Sequence, residues 1–124
     1  MKFEPKTPPR KFSVGKDGSI TLEDCGSLSL KADQQVTLLT ESGAQYDVAR
    51  KDFGFYATPS MNSRLPSHGL RTALVCNSRR QFFIMLVEPE KQNIFDAYLE
   101  AEDQQLICWM DQSETLEKIS QCFR

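Results

Sequence analysis

A chain of 124 residues, 40% hydrophobic and 26% charged, has the size and composition of one folded domain and too much apolar content for a disordered segment. Its formal net charge of −2, with acids and bases intermixed, provides no overall basic field, so nucleic acid is not an expected partner. The longest clean apolar run, Phe82 to Val87, falls far short of the ~18 residues of a membrane span, and no apolar secretory segment opens the chain, so no membrane partner and a cytoplasmic location are expected.

Residues 1–11 hold Pro5, Pro8, Pro9 and four basic side chains without apolar periodicity, which predicts a flexible tail ahead of a single domain over 12–124. From Phe12 onward the signals are β. Lys16-Asp17-Gly18-Ser19 reads as a turn between Val14 and Ile20. Ile20 with Leu22, and Leu28 with Leu30, share faces by their spacing of two, and Cys25-Gly26 between them implies either two short strands or one strand with a bulge. Val36 to Thr40 and Tyr46 to Val48 flank a turn at Glu41-Ser42-Gly43-Ala44. The apolar parity then switches from even (Tyr46, Val48) to odd (Phe53, Phe55, Ala57), which requires a bend at Arg50-Lys51-Asp52.

Thr58 to Leu70 lacks periodicity and carries Pro59, Pro66 and Gly69, which predicts an irregular loop outside the packed interior. Thr72–Cys76 and Gln81–Val87 form the strongest hairpin, turning through Asn77-Ser78-Arg79-Arg80. Its second strand is apolar on both faces and is expected at the centre of a covered sheet. Pro89 suits a first helical turn, and Ile94, Phe95, Tyr98 and Leu99 recur at helical spacing. Gln105 to Met110 reads as a short buried strand. Asp111 with Glu114 resembles a capping box for a helix whose stripe is Leu116, Ile119 and Phe123. The predicted fold is α+β, a mostly antiparallel sheet of short strands covered by two C-terminal helices.

Chemical motifs are sparse. No phosphate loop, nucleophile elbow, zinc-protease or calcium-loop pattern occurs. Cys25, Cys76, Cys108 and Cys122 have no paired-ligand spacing; Cys76 and Cys108 lie in apolar strands as small hydrophobes, and no metal or other cofactor is expected. Glu88 and Glu90 suit a helix N-terminus, and Glu100, Glu102 and Asp103 read as solvated surface. Trp109 reads as core or core edge, with stacking on a ligand as the alternative. His68, the one histidine, is a candidate acid or base only if the fold brings a partner within hydrogen-bond reach.

The sharpest functional signal is the Thr58–Leu70 loop, because long irregular connections commonly carry binding residues. It holds Ser60, Asn62, Ser63, Arg64, Ser67 and His68, with Arg71 following, and Arg50, Lys51 and Tyr56 precede it. Arginines beside small hydroxyl and amide donors suit phosphate or carboxylate. The segment Arg50-Lys51-Asp52-Phe53-Gly54-Phe55-Tyr56-Ala57-Thr58-Pro59-Ser60-Met61-Asn62-Ser63-Arg64-Leu65, extending loosely through Leu70-Arg71-Thr72-Ala73-Leu74-Val75 to Cys108-Trp109, resembles a group of small uncharacterised bacterial proteins associated with cell-surface polysaccharide assembly. That resemblance names no activity and implies an accessory protein with sugar-phosphate or sugar-nucleotide partners. The expected function is therefore a non-enzymatic module binding an anionic small molecule or a partner protein through Arg50, Lys51, Tyr56, Ser60, Asn62, Arg64, His68 and Arg71. The alternatives are a small enzyme on an activated sugar with His68 as acid or base, and a structural subunit, such as a homo-oligomer, whose exposed hairpin edge pairs with another chain.

Overall fold

β-branched and aromatic residues set the course of the first half of the chain in the computed structural model, which describes residues 1–124. In order, the elements are β1 (Lys2–Val14), β2 (Ile20–Ser29), β3 (Gln35–Leu39), β4 (Gln45–Lys51), β5 (Gly54–Ala57), a one-turn helix α1 (Arg64–Ser67), β6 (Arg71–Cys76) and β7 (Phe82–Val87). A 3-10 turn (Pro89–Lys91), α2 (Gln92–Ala101), β8 (Gln105–Trp109) and α3 (Ser113–Cys122) complete the chain. Antiparallel strands with C-terminal helices make the fold α+β, as the sequence pattern implied. No helix is long and apolar enough to cross a membrane.

The chain divides into two compact units, one comprising Met1–Val36 and Val48–Tyr56, the other Thr37–Asp47 and Ala57–Arg124. β3, β4 and β5 form a three-stranded sheet in that order.

In the first unit β1 and β2 pair antiparallel from Lys2 opposite Ser29 to Val14 opposite Ile20. Residues 1–11, expected as a flexible tail, thus supply most of a strand. The prolines do not prevent it because the register shifts between Pro5 and Arg10, so Pro8 and Pro9 fall where the ladder is interrupted. The basic residues find partners across the strand: Lys6 lies 2.5 Å and Arg10 3.6 Å from Asp24. Of the two readings of Cys25-Gly26, a single strand is the one formed, with the irregularity opposite it on β1. Gly26 is required there, since at φ +149° a Cβ would lie 2.4 Å from the Glu4 carbonyl oxygen. The expected bend after Arg50 also forms, as a turn through Asp52 and Phe53 between β4 and β5.

In the second unit the sheet order is β7-β6-β8, so β6 rather than β7 is central. The residues of β6 explain this: Ala73, Val75 and Cys76 are fully enclosed, and Thr72 with them. One face of the hairpin, with Ala73, Val75, Met85 and Val87, meets Phe95 and Leu99 of α2 together with Leu106 and Trp109. The other face meets a smaller cluster of Ala44, Leu65 and Leu70, against which Tyr46 and Leu86 pack. Cover on both faces therefore reaches only the C-terminal half of β7. Phe82, Phe83 and Ile84 stay 52%, 44% and 54% exposed, which corrects their expected place in a covered sheet.

Thr58–Leu70 also differs from expectation. It holds the α1 turn, closed by His68 N–H donating to Arg64 O and Leu65 O, and its Leu65 is 1% exposed. Two apolar side chains, Leu65 and Leu70, pull the segment into the interior against Ala44. Glu102, expected on the solvated surface, is buried at the end of α2. The capping box before α3 does not form, because Asp111 is engaged by Arg71 and the helix starts from Gln112 without a side-chain cap. α3 buries none of its residues, and Phe123 at the end of its stripe is 86% exposed.

Removing the Leu65 side chain tests whether this segment anchors the unit. Leu65→Ala is expected to cost about 2–5 kcal/mol in urea unfolding, as for a buried leucine, against less than about 0.5 kcal/mol for a residue of a solvated loop.

Candidate functional site

Three groups of residues in the second unit combine position with chemical capacity. The first centres on Asp47, which β4 turns inward to 7% exposure. Thr37 Oγ1 on β3 donates to its Oδ1 at 2.6 Å. Its Oδ2 lies 3.7 Å from Arg64 Nη2 and 3.9 Å from His68 Nδ1. The α1 turn makes this possible by bringing residues four apart onto one side. Backbone hydrogen bonds from Gln45 N–H to His68 O (3.0 Å) and from Thr58 N–H to Asp47 O (3.1 Å) hold the turn against β4. Ser60 Oγ accepts from Arg64 N–H at 2.9 Å and fixes the start of the turn. The His68 Nδ1 atom is buried and makes no hydrogen bond, so the histidine and aspartate face each other at ion-pair rather than hydrogen-bond separation.

Beside this group lies a shallow hollow of about 210 Å³ lined by Ser42, Ser67, His68, Gly69, Glu88 and Glu90. Glu88 accepts hydrogen bonds from Thr40 Oγ1 (3.0 Å) and Ser42 Oγ, and Lys91 Nζ lies 3.1 Å from its other oxygen. The hydrogen bonds from Ser42 and then Lys91 hold this carboxyl below its usual range against partial burial. The charged side chains of the lining are the carboxylates Glu88 and Glu90, an unfavourable field for a phosphate or carboxylate ligand.

The second group is built on Arg71, whose Nε and Nη2 donate to Asp111 at 2.8 and 3.2 Å while its guanidinium lies 3.8 Å over the Trp109 ring. Trp109 also faces Phe95 at 5.7 Å between ring centres, so it is a core-edge aromatic, one of its two expected roles. Asn62 Nδ2 donates to Ser113 Oγ at 3.2 Å. The sequence-expected donors of this unit, Ser60, Asn62, Arg64, His68 and Arg71, are thus divided among separate intramolecular partnerships. Arg50, Lys51 and Tyr56 belong to the first unit, where Lys51 lies 2.6 Å from Asp33, Arg50 Nη1 donates to Lys51 O, and Tyr56 is half exposed. Asp47 escaped sequence reasoning because a lone aspartate in a strand carries no motif; its place between Tyr46 and Val48 was the only hint of an inward-facing carboxylate.

The third group is the outer edge of β7. Asn77 N–H donates to Gln81 O at 3.0 Å, and with the β6–β7 register this assigns the odd-numbered residues of β7 to the ladder with β6. Phe82, Ile84 and Leu86 accordingly turn their N–H and C=O groups away from the sheet. This edge has no proline, no charge and no bulge between Phe82 and Val87. The opposite edge, β8, is interrupted by a register shift at Ile107. At one end of β7 stand Arg79 and Arg80, the latter 5.1 Å over the Phe82 ring; at the other stand Glu88 and Glu90. The sequence pattern suggested the sheet centre for this strand, and an exposed hairpin edge entered only with the structural-subunit alternative; the order β7-β6-β8 places β7 at the edge.

No protein-family model matches the chain, and neither does any curated protein or solved structure.

The Arg71–Asp111 pair yields a stability prediction. Burial raises the Asp111 pKa, but the hydrogen bonds and charge of Arg71 outweigh it and hold the carboxyl below its ordinary value. A depressed folded-state pKa means that the pair stabilises above the unfolded carboxylate value, near about 4, and that this contribution is lost as pH falls through the folded one. Arg71→Ala is expected to lower stability by about 2–4 kcal/mol near neutral pH. Urea midpoints measured down a pH series should show the difference from wild type shrinking in acid.

Proposed function

We propose that the chain is a non-enzymatic interaction module that takes an extended segment of another polypeptide as an added strand on β7. One observation carries this reading: a regular strand at the sheet edge whose outward backbone groups have no strand partner and whose Phe82, Phe83 and Ile84 side chains are about half exposed. Monomeric proteins blunt such edges, and an edge left open serves as a template for pairing. The incoming segment gains main-chain hydrogen bonds from Phe82, Ile84 and Leu86 and apolar contact at alternate positions on each face. Its chemistry follows from the surroundings: apolar, extended, antiparallel, with an acidic residue near its C-terminal end to meet Arg80.

An anionic small molecule draws less support. Arg64 and Arg71 already face Asp47 and Asp111, and the hollow beside His68 is lined by Glu88 and Glu90. An acid–base role for His68 is likewise weakly supported, since its nearest carboxylate oxygen is 3.9 Å away.

A labelled, blocked eight-residue peptide of alternating threonine and valine with a glutamate near its C-terminus is a direct probe. Fluorescence anisotropy should show saturable binding to the wild-type chain at concentrations low enough for it to run as a single chain by light scattering. Ile84→Pro removes an outward N–H without breaking the ladder to β6, so it should keep the fold by circular dichroism while weakening binding at least about tenfold. Absence of binding, or binding indifferent to Ile84→Pro, overturns the proposal.

A further inference from the structure

The order of charges along β7 singles out one occupant for this edge. Reading from Arg79, the chain runs Arg-Arg-Gln-Phe-Phe-Ile-Met-Leu-Val-Glu-Pro-Glu, positive at one end, negative at the other and uncharged between. A strand of this pattern is complementary to itself when turned end for end. We infer that the segment added to β7 is the β7 of a second copy, giving an antiparallel pair about a two-fold axis. This inference rests on the strand-addition reading and names the partner.

The register follows from the ladder. The outward-facing residues are even-numbered, so an antiparallel pair must set even residues opposite even ones. A two-fold axis then passes through a residue opposite its own copy, either Ile84 or Met85. Either axis brings the turn that carries Arg80 to the Glu88–Glu90 end of the other copy; Arg80, at φ +60°, and Glu90, in the 3-10 turn, lie beyond the paired residues Phe82–Val87 and would meet across the junction rather than as ladder partners. Glu88 is already occupied by Thr40, Ser42 and Lys91, whereas Glu90 is exposed in the 3-10 turn and has none of these partners. Glu90 is therefore the carboxylate left to meet Arg80 of the other copy, and this favours the register centred on Met85. Symmetry forms that contact twice. The same register sets Ile84 opposite Leu86 and Phe83 opposite Val87, so the half of each strand that α2 and the α1 turn leave bare is laid against the half that they cover.

Arg80 and Glu90 also make the inference separable from any general stickiness of the edge. Arg80→Glu alone places two carboxylates opposite each other in both contacts, and Glu90→Arg alone places two cations there. A pair formed from one copy of each variant has opposite charges at both contacts. Light scattering across a dilution series should give the wild type twice the 14.1 kDa chain mass. Each single variant should dissociate at concentrations at least about tenfold higher than the wild type does. An equimolar mixture of the two variants should return to the doubled mass, and Ile84→Pro should run as a single chain. A wild type that stays at the single-chain mass while still binding the peptide probe overturns the second-copy inference and leaves strand addition standing. Loss of both self-association and peptide binding overturns both. A doubled mass insensitive to Ile84→Pro and to the charge exchanges shows that copies join elsewhere and overturns the inference as well.

Discussion

Cover for apolar surface is the quantity in short supply in this chain, and its distribution decides the rest. The β6–β7 hairpin presents two apolar faces along its whole length, but only α2 and the short α1 turn are available to cover them. Both act at the same end, over Val87 and Leu86, and β6 takes the protected centre between β7 and β8. α3 could have extended that cover, yet it buries no residue. The Arg71–Asp111 pair and the Arg71–Trp109 stack fix the chain just before it, so the residue expected to cap that helix serves the core edge instead. A bare apolar strand end is the consequence of where the helices are held.

Charge is distributed by the same logic of satisfaction in place. A carboxylate brought inward by a strand needs a donor nearby, and Asp47 obtains Thr37 with Arg64 and His68 beyond. Arg64 is thereby drawn to this carboxylate from the α1 turn that carries Leu65. Arg64, which makes the loop look like an anion site in the sequence, thus faces a carboxylate of its own chain. By contrast Arg79 and Arg80 stand at a turn organised by Asn77, whose Oδ1 accepts from Arg79 N–H and Gln81 N–H, so their side chains are not needed for its geometry.

Elements whose signal is local were legible in the sequence. The β6–β7 hairpin, the turn through Asp17 and Gly18, the bend after Arg50 and the helix carrying Phe95 and Leu99 all follow from spacing and turn chemistry. What escaped depends on neighbours that spacing cannot reveal. Prolines and lysines in residues 1–11 suggest solvated chain until Asp24 and the interrupted ladder are in place opposite them. Met61, Leu65 and Leu70 are too few and too unevenly spaced among thirteen residues to form a period, yet Leu65 and Leu70 together with Ala44 make a core. A strand apolar on both faces has the same sequence whether it lies at the centre of a sheet or at its edge, and here the tighter packing of Ala73, Val75 and Cys76 settles the order.

The two outer edges of the β7-β6-β8 sheet differ in a way that bears on how far any pairing would extend. β8 is broken at Ile107, a device that keeps an edge from accepting a neighbour. β7 has no such break, and its charges are at the ends and of opposite sign. Parallel pairing would oppose Arg80 to Arg80 and Glu90 to Glu90, so the charges admit one orientation and reject the other. In that orientation both regular edges are consumed by each other, and the outer boundaries of the joined sheet are the interrupted β8 strands. Association through β7 would therefore close at two copies: the contact would be isologous, and it would leave no second edge of the same kind from which a fibre could grow.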